Sequence, residues 1–272
     1  MVLKPEVARK RFGNELFRRR NLAGLTQRQL ATQANLSQTF VGAIERGEKR
    51  VKRDKVLLIE AALNTKGALA SLWDSLFTPN GLSTYFQDIA KLERGASCLK
   101  EFQLGLCPGL TQTPEYARAI IQSGRPTASA AAVQEAVEAR LARQEILLRA
   151  DNPVLYVLVL DEAALRHTAG GHETMAHQMK HLLELAERPN VSIQVIPFGT
   201  SGHPGLDGSF LIIDTPDQGP VVYTETLKSG SREDDSETVV KYAGAFSDLR
   251  GAALPAVPSQ DYIKKIMEEY KG

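Results

Sequence analysis

The side chains able to do acid–base, nucleophilic or metal chemistry are few and poorly assembled along this 272-residue chain. His177 and His181 stand four apart, a spacing that puts two imidazoles on one helical face, where they could share a metal ion. His172-Glu173 with His177 misses the His-Glu-x-x-His spacing by one residue, and no third ligand is evident. No metal and no other cofactor is therefore expected. Cys98 and Cys107 are the only cysteines, too few for a disulfide framework or a four-ligand zinc site, and both are expected to be reduced. His203 and Asp207 in a Gly/Pro-rich loop, together with Asp161 and Glu162 after an apolar run, could line a polar pocket for an effector or a partner. A loop held only by its turn residues is the other reading. No serine lies in a Gly-x-Ser-x-Gly elbow and no Gly-rich phosphate loop follows a strand, so no enzyme is expected, with an enzymatic C-terminal region as the alternative.

The other chemistry on offer is electrostatic. Residues 1–77 hold 15 Lys and Arg against 7 Asp and Glu, while residues 78–272 hold 18 against 25. The net of +1 thus hides a head of +8 and a body of −7. A basic head suits a polyanion, although a small domain can also carry excess charge for solubility. No run approaches the roughly 20 apolar residues that cross a bilayer, and the N-terminus lacks an apolar signal core, so a cytoplasmic protein without membrane contact is expected.

The head's pattern specifies how such charge would be positioned. Residues 7–22 read as an amphipathic helix with Phe12, Leu16 and Phe17 inward and Arg18, Arg19 and Arg20 near its end, stopped by Gly24. Thr26 and Gln29 make a capping box for a second helix, and Asn35 can supply the left-handed turn that ends it. Ser37 caps a third helix running to Arg46, with Gly47 as its stop. Leu30, Ala31, Leu36, Val41 and Ile44 fall where two short helices across a tight turn bury side chains together. Val56, Leu57, Ile59 and Leu63, then Leu69, Leu72, Trp73 and Leu76, predict two more helices, with Trp73 in the packing.

With Ala23-Gly24-Leu25-Thr26-Gln27, Leu30-Ala31, Leu36-Ser37-Gln38, Val41 and Ile44-Glu45-Arg46-Gly47 in register, residues 9–77 resemble the Xre or phage-repressor helix-turn-helix family. The start of the third helix then enters the major groove of double-stranded DNA. Ser37, Gln38 and Thr39, with Gly42 or Ala43 one turn on, are the expected base readers, and Gln38 can pair with adenine N6 and N7. Gln27, as in the family, is expected on phosphate, with Arg28 beside it and Arg46, Lys49, Arg50, Lys52 and Arg53 extending the contact. For Ser37 a helix cap alone, and for the Lys-Arg run a solvated loop, remain open. The resemblance further implies that Arg20 and Glu45 form a structural ion pair.

Residues 78–98 read as a linker with a short helix around Tyr85 to Glu93, and residues 99–272 as a mixed α/β or α+β body. Strands are expected at Leu99–Leu106, Pro153–Leu160, Val191–Ile196, Gly208–Asp214 and Val221–Thr224. Helices are expected from Thr113-Pro114 onward, as one rod over Ala128–Arg149, at Glu173–Glu187, Asp234–Leu249 and Ser259–Tyr270. Pro108-Gly109-Leu110-Thr111-Gln112-Thr113-Pro114-Glu115-Tyr116-Ala117, Arg140-Leu141-Ala142-Arg143-Gln144, Leu160 to Arg166, Leu185 to Val191 and His203 to Phe210 make this body resemble the C-terminal domain of unknown function in WhiJ-like, antitoxin-like actinomycete regulators. The resemblance implies a regulator controlled by a small partner protein encoded nearby, or an antitoxin that neutralises such a partner and autoregulates its operon. A single short reading helix discriminates poorly, so a homodimer on an inverted repeat, with half-sites about 34 Å apart, is expected.

Overall fold

The computed structural model describes residues 5–65, 67–77, 84–226 and 230–272. The chain divides into two compact units, one within Met1–Asp88 and the other of Ile89–Thr226 with Gly230–Gly272.

The first unit is all-α: α1 (Pro5–Leu22), α2 (Gln27–Gln33), α3 (Gln38–Glu45), α4 (Arg53–Leu63) and α5 (Ala68–Phe77). Phe12, Leu16, Leu30, Val41, Ile44, Val56, Ile59 and Leu69 close one core, with Leu36 packed against it. The apolar spacing in each helix is what turns these residues inward. Both arms of the α2 capping box form: Gln29 N donates to Thr26 Oγ1 at 3.2 Å, and Thr26 N donates to Gln29 Oε1 at 2.8 Å. Asn35 takes φ of 51° and Gly47 takes φ of 72°, ending α2 and α3. Phe17 departs from expectation. It is 50% exposed, because its side chain falls on the outer edge of the stripe that buries Phe12 and Leu16, and the Arg20 guanidinium lies 5.2 Å from its ring centre. Trp73 is buried and donates from Nε1 to Val51 O at 2.8 Å, tying α5 to the segment before α4.

The second unit is a mixed six-stranded sheet with helices on both faces. Its strands are β1 (Cys98–Gln103), β2 (Leu155–Asp161), β3 (Val191–Ile196), β4 (Phe210–Thr215), β5 (Gly219–Glu225) and β6 (Gly230–Glu233), in the order β3-β2-β1-β4-β5-β6. β1, β2 and β3 are parallel, whereas β4, β5 and β6 add antiparallel pairings beside β1. Tyr156, Leu158 and Leu160 of β2 join one core and Val157 and Val159 the other, which is why β2 reads as an unbroken apolar run. The helices are α6 (Thr84–Gly95), α7 (Pro114–Gly124), α8 (Ala130–Arg143), α9 (Glu145–Leu148), α10 (Glu162–Arg166), α11 (His172–Ala186), α12 (Ser236–Ala252) and α13 (Ala256–Lys271).

Two expectations need correction. Ile89 and Leu92 of α6 belong to the larger core, so the second half of the expected 78–98 linker is part of the body; residues 78–83 lie outside the described residues. The single rod over Ala128–Arg149 breaks at Gln144, whose Nε2 donates to Gly109 O at 3.0 Å and Gln112 O at 2.8 Å, and the break turns Ile146 and Leu147 of α9 into the core. Finally, α10 and the polar edge strand β6 were not foreseen.

Candidate nucleic-acid interface

The first unit shapes α3 as a rod that is buried toward its end and open at its start. Ser37, Gln38 and Thr39 are exposed, while Val41, Ile44 and Glu45 are buried. Ser37 Oγ accepts from Phe40 N at 3.2 Å, so its cap role is realised. Gln38 and Thr39 therefore present their side chains at the helix's leading end. Gly42 and Ala43 depart from the expected base-reading set because both are buried. Ala43 is only 7% exposed, and a Cβ on Gly42 would meet Arg46 Nη1 at 3.1 Å and Gln27 Oε1 at 3.3 Å.

The angle of α3 is fixed by an ion pair inside the unit. Arg20 Nε and Nη2 donate to Glu45 Oε1 and Oε2 at 2.6 and 3.0 Å, with the side chains 8% and 3% exposed. Arg20 Nη1 also donates to Leu25 O at 2.7 Å and Asn21 Oδ1 at 3.0 Å, so the guanidinium binds α1, α3 and the turn before α2 at once. Such a two-pronged, hydrogen-bonded pair resists rotation in a way an exposed one does not. Gly13 lets the two helices approach this closely, since a Cβ there would lie 2.4 Å from Ile44 O and 2.5 Å from Glu45 O.

The side chains expected on phosphate divide into several situations. Gln27 Nε2 donates to Glu45 Oε2 at 2.8 Å, so this amide extends the buried pair, a contact that sequence spacing alone did not suggest. Arg46 is exposed and held by Glu48 at 2.7 and 2.9 Å; that pairing raises the Arg46 pKa and lowers that of Glu48. Arg50 is engaged with α5: its guanidinium stands 5.4 Å from the Trp73 ring and 5.0 Å from the Phe77 ring, and it donates to Phe77 O at 3.2 Å. Arg28, Lys49 and Lys52 are exposed, and Arg53 is half-buried. Arg50, Val51, Lys52, Arg53 and Trp73 line a recess of about 420 Å³ at the start of α4, bringing three of the expected cations together.

In the second unit the candidate pocket is only partly assembled. Asp161 Oδ2 lies 3.4 Å from His203 Nε2, and Asp161 Oδ1 accepts from Ala163 N at 2.8 Å to cap α10. Glu162 pairs with Arg166 and accepts from Phe198 N at 2.6 Å and Tyr262 Oη at 2.7 Å. Burial opposes the charge on Glu162, but these donors outweigh it and lower its pKa. Asp161, Glu162 and His203 hold loops to strand ends, which is a fastening role. Asp207 does not join them: it is exposed, and no hydrogen bond or ion pair links it to the other three among the described residues. His177 is exposed and His181 half-buried on α11, and no group of three possible ligands assembles among the described residues. Cys107 is buried, which pushes its thiol up to about 12, out of reach of nucleophilic use near neutrality.

An exposed α3 tip on a rigidly braced helix pair, in a basic unit, is the arrangement of a DNA-binding head of the helix-turn-helix class. Residues 16–68 match the family described as Helix-turn-helix, which supports a DNA-binding, transcription-regulating role. The chain belongs to the family described as Domain of unknown function (DUF5753), which matches residues 86–265, well over half of its length. Neither a curated protein nor a solved structure matches the chain. Among the described residues no helix is long and apolar enough to cross a membrane.

Proposed function

We propose that this protein is a cytoplasmic, sequence-specific transcription regulator that inserts the N-terminal end of α3 into the major groove. Gln38 and Thr39 read base edges there, while Arg28, Lys49, Lys52 and the recess at the start of α4 hold phosphates. The observation that carries this reading is the exposure of Ser37, Gln38 and Thr39 on a helix whose opposite end is locked by Arg20 and Glu45. A helix held this way presents its side chains in fixed register without reorganising on contact. The body is a non-enzymatic regulatory domain that makes the homodimer contacts and receives the signal, and its resemblance to antitoxin-like regulators supports a small partner protein as one input. Any such signal must bind the DNA-competent and DNA-incompetent states unequally.

Site selection from random duplexes with the full-length chain tests the proposal. An enriched inverted repeat with half-sites about 34 Å apart is the expected result. Recovery of duplexes with no shared sequence would contradict it.

A further inference from the structure

The body is acidic, with 25 acidic against 18 basic residues over 78–272, yet it gathers arginines at one place. Arg140 of α8 lies in the repulsive field of both Arg143 and Arg125, with Glu225 of β5 as the carboxylate in the same field. Burial first and then Arg143 lower the Arg140 pKa, so the protein keeps a guanidinium where its charge is disfavoured. A fold retains such an arrangement when something else supplies the missing interaction.

The hydrogen bonds show what is missing. Arg140 Nη1 donates to Gln112 Oε1 at 2.7 Å, a neutral partner that is itself pinned by donating from Nε2 to Cys107 O at 2.7 Å. The Arg140 stem runs over Gly109, whose added Cβ would lie 3.8 Å from Arg140 Cδ. Among the described residues its Nε and Nη2 have no partner, and only His203 Nδ1 is both fully buried and unpartnered, so these Arg140 donors keep a route to solvent. Arg143, by contrast, sends Nε and Nη2 to buried Glu93 at 3.0 and 2.7 Å. The Glu225 carboxylate makes no hydrogen bond or ion pair with a described residue, and burial raises its pKa against the pull of Arg140 and Arg143.

We propose that Arg140 anchors a binding site in the body for a small-molecule oxyanion, a carboxylate or phosphate group, which its uncommitted Nε and Nη2 edge takes in a two-pronged grip. The Pro108–Gln112 turn holds the fork in place, Arg143 and Arg125 add positive field, and Glu225 weakens the grip so that binding stays reversible. The site itself is independent of DNA reading; its use as the regulatory input rests on the function proposed above.

Nitrogen-15 NMR of the full-length chain, observing arginine Nε–H signals without DNA, tests the site. The Arg140 signal is identified by its loss in Arg140→Lys, and the probes are inorganic phosphate and, separately, acetate at fixed ionic strength. A saturable shift of that signal is expected. Response to phosphate alone or acetate alone supports the site and names the source chemistry. Glu225→Gln should tighten binding several-fold, a gain that a merely structural arginine would not show, while Arg28→Gln in the head should leave the titration unchanged. A signal that does not move, or drifts without saturating, overturns the proposal, and so does an unchanged affinity in Glu225→Gln.

Discussion

Glu45 accepts three hydrogen bonds from two side chains, and its loss should be felt well beyond one bond. In Glu45→Ala the buried Arg20 fork and the Gln27 amide lose their acceptor together. The head should lose about 3–5 kcal/mol, read as a lower denaturant midpoint for its transition. An unchanged midpoint would mean that the pair does not brace α3. In the body, burial, opposed by hydrogen bonds from Tyr156 at 2.5 Å and Gln103 at 2.8 Å, pushes the Glu101 carboxyl up to about 7. The folded state thus favours the neutral acid, and the stabilisation is full below the ordinary carboxyl range and disappears as pH rises through 7. Glu101→Gln should flatten the decline in melting temperature between pH 5 and 8, removing a difference on the order of 3 kcal/mol. An identical pH profile in the variant would refute this. At this scale the sequence disclosed the caps, because Thr26, Gln29, Ser37 and Asn35 act on backbone within three residues. It could not disclose that Gly42 and Ala43 are covered or that Arg50 turns onto Trp73 and Phe77, since both depend on chain far away.

Between α1 and α3 the contact distance is set by a missing methyl group. Gly13→Ala places a Cβ inside van der Waals distance of Ile44 O and Glu45 O, where backbone cannot yield as a side chain can. Although alanine favours a helix by about 1 kcal/mol over glycine, the clash should win, lowering head stability and DNA affinity together. A Gly13→Ala head with a raised melting temperature would show that the helices stand farther apart than described. Elements whose periodicity matched their burial were readable, as with α2, α3 and β3. The break at Gln144 was not, since Ala130 to Leu148 contains no Gly or Pro and the interruption comes from hydrogen bonds to the Gly109–Gln112 turn. β6 escaped because Gly230-Ser231-Arg232-Glu233 is an exposed edge without apolar alternation.

Over the whole molecule, segregated charge divides the work: a head of +8 for the polyanion and a body of −7 that repels it. Replacing exposed Lys52 by Ala should weaken all duplexes alike and reduce the slope of log affinity against log salt by about one. An unaltered slope would remove Lys52 from the phosphate contact. The composition contrast made this division readable before any fold was known, whereas bringing Arg125 and Glu225 into the field of Arg140, which shares α8 with Arg143, required the folded body. The most direct measurement compares wild type with Gln38→Ala by gel-shift titration against the selected operator and its single-base variants. Gln38 is exposed, so the variant should fold normally and lose about 1–3 kcal/mol of discrimination at one base pair in each half-site. Undiminished discrimination at every position in the folded variant would contradict insertion of the α3 tip.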